Sequence, residues 1–239
     1  MPNNYFRFKQ FTIQQEQCAM KVGTDGVLLG AWADITDCTR VLDIGTGTGL
    51  IALMLAQRSE PTTHIEAIEV DTAAAQQAQE NVTQSPWSER VAVYQGEIQQ
   101  YQPVVRYDLL VSNPPYFERS LKASHQARTT ARHADSLTQH DLLQATQRLL
   151  SPHGRLAVIY PTKTAETFLE QAAAFGLTCR RKLWVKPKPH LPPKRLLLEL
   201  TPIANSVTLT EQTLTLEHTA RHDYTAEFMA LTKTFYLKF

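Results

Sequence analysis

Val41-Leu42-Asp43-Ile44-Gly45-Thr46-Gly47-Thr48-Gly49 reads as a buried strand running into a glycine-rich turn, after which Leu50, Leu53 and Met54 begin the apolar stripe of a helix. Such a unit opens an open α/β sheet, in which ligands approach the backbone at the carboxyl end of the first strand. Missing Cβ atoms permit that approach. The chain is otherwise sparing with glycine: it holds nine, where average usage of about 7% would give roughly 17. Six of the nine lie within Gly23–Gly49. Two nucleotide-binding readings fail on the letters. A P-loop needs Gly-x4-Gly-Lys-Ser/Thr, and this turn has no lysine. The dinucleotide fingerprint needs Gly-x-Gly-x-x-Gly, whereas here the third glycine arrives one residue early and Leu50 takes its place.

Outward from the turn, β-branched runs alternate with helical periodicity, the pattern of a parallel sheet with crossover helices. Strands are expected at about 40–44, 64–70, 90–95, 107–112 and 154–160. Ala74, Ala78 and Val82 mark one helix, and Leu142, Leu143, Leu149 and Leu150 another. A further one carries Ala165, Phe168, Leu169 and Ala172 and stops at Gly176. Two more apolar strands, near 177–186 and 195–201, are separated by Pro187, Pro189, Pro192 and Pro193, too closely for a crossover helix, and should pair antiparallel. The expectation is a single α/β domain over 1–239: a seven-stranded, mostly parallel sheet with an antiparallel last strand pair and helices on both faces. Residues 1–39 form an extension with a small β-element and a helix near Thr24–Trp32, residues 40–201 the core, and 202–239 a C-terminal hairpin and helix element marked by Phe228, Leu231 and Phe235.

At 239 residues and 43% apolar content the chain can bury a sizeable core, which excludes a disordered or fibrous protein. The longest apolar run, Leu50 to Ala56, falls far short of the ~18 residues of a membrane span. Met1–Gln10 holds no apolar signal core, so a soluble, cytoplasmic protein is expected. Cys18, Cys38 and Cys179 are too few and too scattered for a disulfide framework or a zinc site, and no metal is expected. Net charge is +1, yet residues 119–198 carry 14 Lys/Arg against four Asp/Glu, a local +10 that leaves −9 for the rest. That asymmetry is the footprint of a nucleic-acid partner meeting one side of the molecule.

Three segments supply the chemistry. Glu69 ends the second strand, where a carboxylate can take both ribose hydroxyls in charge-assisted hydrogen bonds; Asp71 falls just beyond it. Gly96-Glu97-Ile98 ends the third strand. Asn113-Pro114-Pro115-Tyr116 follows the fourth, and its consecutive prolines force the chain out of the sheet as a rigid turn that projects Asn113 and Tyr116 over the site.

Asp43-x-Gly45-x-Gly47-x-Gly49 resembles the S-adenosylmethionine loop of Rossmann-like class I methyltransferases, and Asn113-Pro114-Pro115-Tyr116 resembles the motif of members that methylate exocyclic amino or amide nitrogens. The resemblance implies S-adenosylmethionine as cofactor, held by Asp43, Gly45, Gly47, Gly49, Glu69, Glu97, Ile98 and Asn113. Many members carry Asp where this chain has Glu97. A conjugated amino nitrogen is a poor nucleophile because its lone pair is delocalised. The Asn113 side-chain oxygen and the Pro114 carbonyl can accept its two hydrogens, favouring a pyramidal nitrogen aimed at the sulfonium methyl. Tyr116 would stack on a base held out of its helix or loop, with Pro115 and Phe117 beside it. Displacement from a sulfonium needs no covalent intermediate, so positioning carries most of the catalysis.

Lys21-Val22-Gly23-Thr24-Asp25-Gly26-Val27-Leu28-Leu29-Gly30-Ala31-Trp32, Gln84-Ser85-Pro86-Trp87 and Asp223-Tyr224-Thr225 resemble the bacterial valine-tRNA adenine-N6 methyltransferases. The resemblance implies N6 methylation of the adenine beside the anticodon, position 37, by a cytoplasmic monomer with tRNA as partner. It places Lys21, Thr24 and Asp25 at the cofactor's amino-acid end, although Thr24 could equally serve as an N-cap. Arg128, Arg132 and His133 would form a lid over the substrate. Arg180, Arg181, Lys182, Lys186, Lys188, Lys194 and Arg195 would meet the phosphate backbone, with strand alternation turning some of them away. The same Asn-Pro-Pro-Tyr also serves N5-glutamine methylation of a protein and guanine-N2 methylation of ribosomal RNA. Glutamine methylases typically have a long helical segment before the glycine turn, against 40 residues here. A non-catalytic RNA chaperone would leave Asn113, Tyr116 and Glu69 unexplained.

Overall fold

The computed structural model describes residues 3–115, 137–205 and 208–238. Two short strands, β1 (Tyr5–Arg7) and β2 (Thr12–Gln14), pair antiparallel and lead to α1 (Thr24–Trp32). The core runs β3 (Arg40–Ile44), α2 (Leu50–Arg58), β4 (His64–Glu69), α3 (Thr72–Thr83), β5 (Val91–Gln95) and β6 (Tyr107–Ser112). It continues with α4 (Gln139–Leu149), β7 (Leu150–Pro161), α5 (Thr162–Ala174), β8 (Leu177–Lys186) and β9 (Arg195–Pro202). A 3-10 turn (Ile203–Asn205), β10 (Thr210–Thr215) and α6 (Ala226–Thr232) complete it.

Strand order in the large sheet is β10-β8-β9-β7-β6-β3-β4-β5. The order reverses at β3, whose neighbours are β4 and β6, so the ligand crevice of an open sheet falls at the carboxyl ends of these strands. β8 and β9 pair antiparallel, as their short proline-rich connection requires. All seven expected strands are present, and β10 adds an eighth by pairing parallel with β8. Only Leu214 and Thr215 of Thr210–Thr215 lose much exposure, so this edge strand lacks the apolar alternation by which a sequence announces one. Leu150, expected on a helix, instead caps α4 and opens β7 four residues earlier than its apolar run suggests.

The core lies on both sheet faces. α1, α2, α3 and α6 cover the face of Val41, Leu109 and Ile159, while α4 and α5 cover that of Leu42, Leu110 and Val158. α1 is buried almost all round, and it presses on α2 through two glycines one turn apart. A Cβ on Gly30 would lie 2.8 Å from Met54 Sδ, and one on Gly26 would lie 3.1 Å from Leu50 Cδ2. The N- and C-terminal segments meet on the same face. Phe8 stacks near Tyr236 at 6.0 Å between ring centroids, and Lys9 donates to the Lys233 carbonyl at 2.6 Å.

Candidate active site

The glycine turn holds three residues in the left-handed region, Gly45 (φ +72°), Gly47 (φ +57°) and Gly49 (φ +80°). L side chains rarely adopt this conformation, which is why the sequence spaces glycines here. A Cβ on Gly45 or Gly47 would meet nothing within 4 Å, whereas one on Gly49 would lie 3.5 Å from Ala78. Gly45 and Gly47 thus border open space that a ligand can enter against bare backbone. Asp43 braces the turn from below: its Oδ2 accepts from Thr46 Oγ1 at 2.6 Å and from the Ala52 amide at 3.2 Å. Oδ1 is buried without a partner among the described residues. Complete burial pushes the Asp43 carboxyl up to about 7, against the two hydrogen bonds that favour its charged form. Asp43 therefore acts from behind the turn, below the ligand space.

Glu69 stands across from it. Its Oε2 accepts from the Gly47 amide at 2.8 Å and its Oε1 from the Asp71 amide at 3.0 Å. Each oxygen keeps a lone pair for a further donor. Asp71 lies past the strand as expected and caps α3, accepting from the Ala74 amide at 2.8 Å. A cleft runs from Gly45 to Gly96 and Glu97, walled by Ile44, Ile68, Val70, Ile98 and Leu137. Apolar walls with a carboxylate at the mouth suit a flat base carrying an amino group. Glu97 is exposed and accepts from Gln100 Nε2 at 2.8 Å. Val70 and Leu137 were not singled out in the sequence; the available signal for Val70 was its place just past the end of β4, where open sheets take their ligands.

Ser112 donates to the Ile44 carbonyl at 2.8 Å, clamping the ends of β6 and β3 so that Asn113 leaves the sheet beside Gly45. The Asn113 side-chain oxygen is buried and has no partner among the described residues. A buried carbonyl oxygen without a donor costs roughly 1–3 kcal/mol, so this atom calls for a donor from outside the described residues. Pro114 is buried and Pro115 exposed. Tyr116, Phe117, Arg128, Arg132 and His133 lie outside the described residues.

Among the other expected site residues, Lys21 and Thr24 are exposed, and Lys21 Nζ donates to the Asn3 carbonyl at 3.3 Å. Gly23, not Thr24, is the N-cap of α1, and Thr24 is its first helical residue. Asp25 pairs with Arg195 Nε at 2.7 Å, tying α1 to the start of β9. Arg180 and Arg181 do not follow strand alternation. Cys179 pairs with Leu200 and Arg181 with Glu199, leaving Arg180 as the extra residue of a β-bulge that turns both arginines onto Glu199. Arg180 Nε lies 3.2 Å from Glu199 Oε1 and Arg181 Nη1 3.1 Å from Oε2. The Arg181 guanidinium also sits 4.4 Å over the Trp32 ring. The charge window of 119–198 stops one residue short of this fully buried carboxylate. Burial pushes Glu199 above the usual carboxylate range, against the pull of Arg181 and Arg180. Lys182 pairs with Glu211 at 3.2 Å. Lys186, Lys188 and Lys194 differ: they sit at the end of β8 and in the following loop, at the same pole as Pro161 and the other carboxyl ends.

Residues 23–181 match the family model of the methyltransferase small domain. Proteins of Trichodesmium erythraeum and Parabacteroides distasonis named tRNA1(Val) (adenine(37)-N6)-methyltransferase are 55% and 50% identical, over all of this chain and all of each relative. One of the same name from Aeromonas hydrophila is 46% identical over 99% of this chain and 98% of its own. In fold the chain is similar to a predicted O-methyltransferase of Agrobacterium tumefaciens, with TM-score 0.64, 19% identity and coverage of 88% and 96%. A ribosomal protein L11 methylase of Lactobacillus delbrueckii is similar with TM-score 0.54, 15% identity and coverage of 80% and 83%. A glycine turn opening onto free space, a carboxylate facing it from β4 and, beside it, a buried asparagine oxygen with no donor among the described residues accord with this kinship, and the chain belongs to the methyltransferase small domain family, in the branch of the bacterial tRNA1(Val) (adenine(37)-N6)-methyltransferases.

Proposed function

We propose that this protein methylates N6 of adenine 37 in a valine-accepting tRNA with S-adenosylmethionine, as a single-domain monomer of the cytoplasm. The observation that carries the reading is the buried side-chain oxygen of Asn113 beside Gly45, which has no partner among the described residues. The cofactor fits the residues present. Open space over Gly45 and Gly47 admits its backbone-hugging part, Glu69 can accept from the ribose hydroxyls, and the slot of Ile44, Ile68, Val70, Ile98 and Leu137 suits its adenine, with Glu97 toward the amino group. By the resemblance, Lys21, Thr24 and Asp25 line its amino-acid end. When bound, S-adenosylmethionine supplies a methyl group on a sulfonium leaving group.

The chain's own work is orientation. Asn113 Oδ1 accepts one hydrogen of the target amino group and the Pro114 carbonyl accepts the other, which draws the nitrogen lone pair out of conjugation and points it along the displacement line. By the resemblance, stacking on the extruded adenine falls to Tyr116, and contact with the substrate to Pro115, Phe117, Arg128, Arg132 and His133. Lys186, Lys188 and Lys194 contact phosphates. Lys186 and Lys188 each donate to one backbone carbonyl, of Pro189 and Thr219, at 2.6 Å, and so keep two ammonium hydrogens each.

Asn113→Ala tests the reading. With labelled cofactor and unmodified tRNA, the variant should lose transfer while it still binds the cofactor, any fall in affinity being small beside the fall in rate. Wild-type transfer by the variant overturns the mechanism, and label appearing on a release factor instead of tRNA overturns the substrate.

A further inference from the structure

Residues 14–22 form a strap between β2 and α1, pinned to α3 by two buried amides. Asn81, 1% exposed, uses its whole side chain: Oδ1 accepts from the Gln14 amide at 2.8 Å, and Nδ2 donates to the Gln14 carbonyl at 2.9 Å and to the Thr48 carbonyl at 2.9 Å. It thus stands in for a neighbouring strand toward Gln14 while gripping the glycine turn. One helical turn earlier, Gln77, also 1% exposed, accepts from the Gln17 amide at 3.3 Å. Gln15 closes the strap on itself, its Oε1 accepting from the Val22 amide at 2.8 Å. The same amide connects the strap to Glu69: Thr48, whose carbonyl Asn81 holds, follows Gly47, whose amide donates to Glu69 Oε2 at 2.8 Å.

We infer that Asn81 is a positioning residue for the cofactor: by tying the strap and the Thr48 carbonyl to one buried amide, it holds the strap as an outer wall of the Glu69 pocket. The inference rests on the cofactor site proposed above. It follows from satisfiability. Without the Asn81 Nδ2 donors, the carbonyls of Gln14 and Thr48 lose their shared partner, and each can recover one only by moving toward water. Strap and turn then separate. Asn113 and the Pro114 carbonyl are untouched, so the loss should fall on cofactor capture and not on the chemical step.

The test compares Asn81→Asp, which keeps the shape and the acceptor but not the donors, with Gln77→Met, which removes the second pin. Read by calorimetry with S-adenosylhomocysteine and by initial rates with S-adenosylmethionine and tRNA, Asn81→Asp should raise Kd and the cofactor KM roughly tenfold. The kcat at saturating cofactor should stay within about twofold, and Gln77→Met should raise Kd by about threefold in the same direction. Amide exchange at 14–22 should slow when S-adenosylhomocysteine binds the wild type and should be faster in both variants. Wild-type Kd in a folded Asn81→Asp overturns the inference, as does an equal fall in kcat with KM unchanged. If Asn81→Asp does not fold, a wild-type Kd in Gln77→Met together with faster exchange at 14–22 overturns it. A wild type that binds no S-adenosylhomocysteine would instead refute the cofactor site itself.

Discussion

Asp43 shows how one residue can be part of a binding motif and yet serve it from behind. Its carboxyl is raised to about 7 by burial, so the folded state holds a proton more tightly than the unfolded chain does. The sign follows: the Asp43 contribution to stability is fully present below about pH 4, the ordinary Asp range, and is lost as pH rises toward 7. Asp43→Asn can keep the Thr46 and Ala52 contacts through its amide oxygen without the titration. Thermal unfolding between pH 5 and 8 should therefore show a flatter pH dependence in the variant and no loss of stability at pH 8. Equal slopes in the two proteins would contradict this. Gly45 is equally exposed to test, since Gly45→Ala forces an L side chain to φ +72° and fills the open space above the turn. A loss of about 1–3 kcal/mol in denaturant unfolding should come with weaker cofactor binding.

Between elements, two contacts govern how the core closes, and they differ in legibility. The strand–turn–helix of 41–50 could be read directly, because buried strands, glycine spacing and a helical stripe are local patterns that the fold leaves intact. Gly26 and Gly30 could be located but not explained, since their purpose lies in Leu50 and Met54 of another helix. Gly30→Ala should cost about 1–3 kcal/mol, measured by denaturant unfolding, by pushing a methyl into Met54. The bulge at Arg180 was hidden for a related reason: period-two alternation predicts opposite faces for Arg180 and Arg181, and only the pairing with β9 reveals the inserted residue. Glu199, a lone charge within Leu196–Leu200, was the available signal, because a carboxylate in an apolar strand demands cationic partners. Glu199→Ala should destabilise the protein by about 3–5 kcal/mol, a size that distinguishes a buried pair from a surface one.

At the scale of the whole molecule, the +10 segment resolves into two populations. Arg180, Arg181 and Lys182 are taken up by Glu199 and Glu211, while Lys186, Lys188 and Lys194 stand at the pole where Asn113 leaves the sheet. Charge counted along a chain cannot make that division, because ion pairs are set by tertiary neighbours. The consequence is measurable in the salt dependence of tRNA affinity. Each of Lys186→Ala, Lys188→Ala and Lys194→Ala should lower the slope of log K against log salt by about 1, whereas Arg181→Met should leave the slope unchanged and lower stability. Among the described residues no helix is long and apolar enough to cross a membrane.

One nitrogen of one nucleotide, N6 of adenine 37, is the acceptor in the proposed reaction. Unmodified valine-accepting tRNA, incubated with the purified protein and S-adenosylmethionine and then digested to mapped fragments for mass spectrometry, tests it directly. The predicted result is a single added methyl at N6 of adenine 37, absent with Asn113→Ala. A methyl on a guanine, on another adenine, or on no nucleotide at all would contradict it.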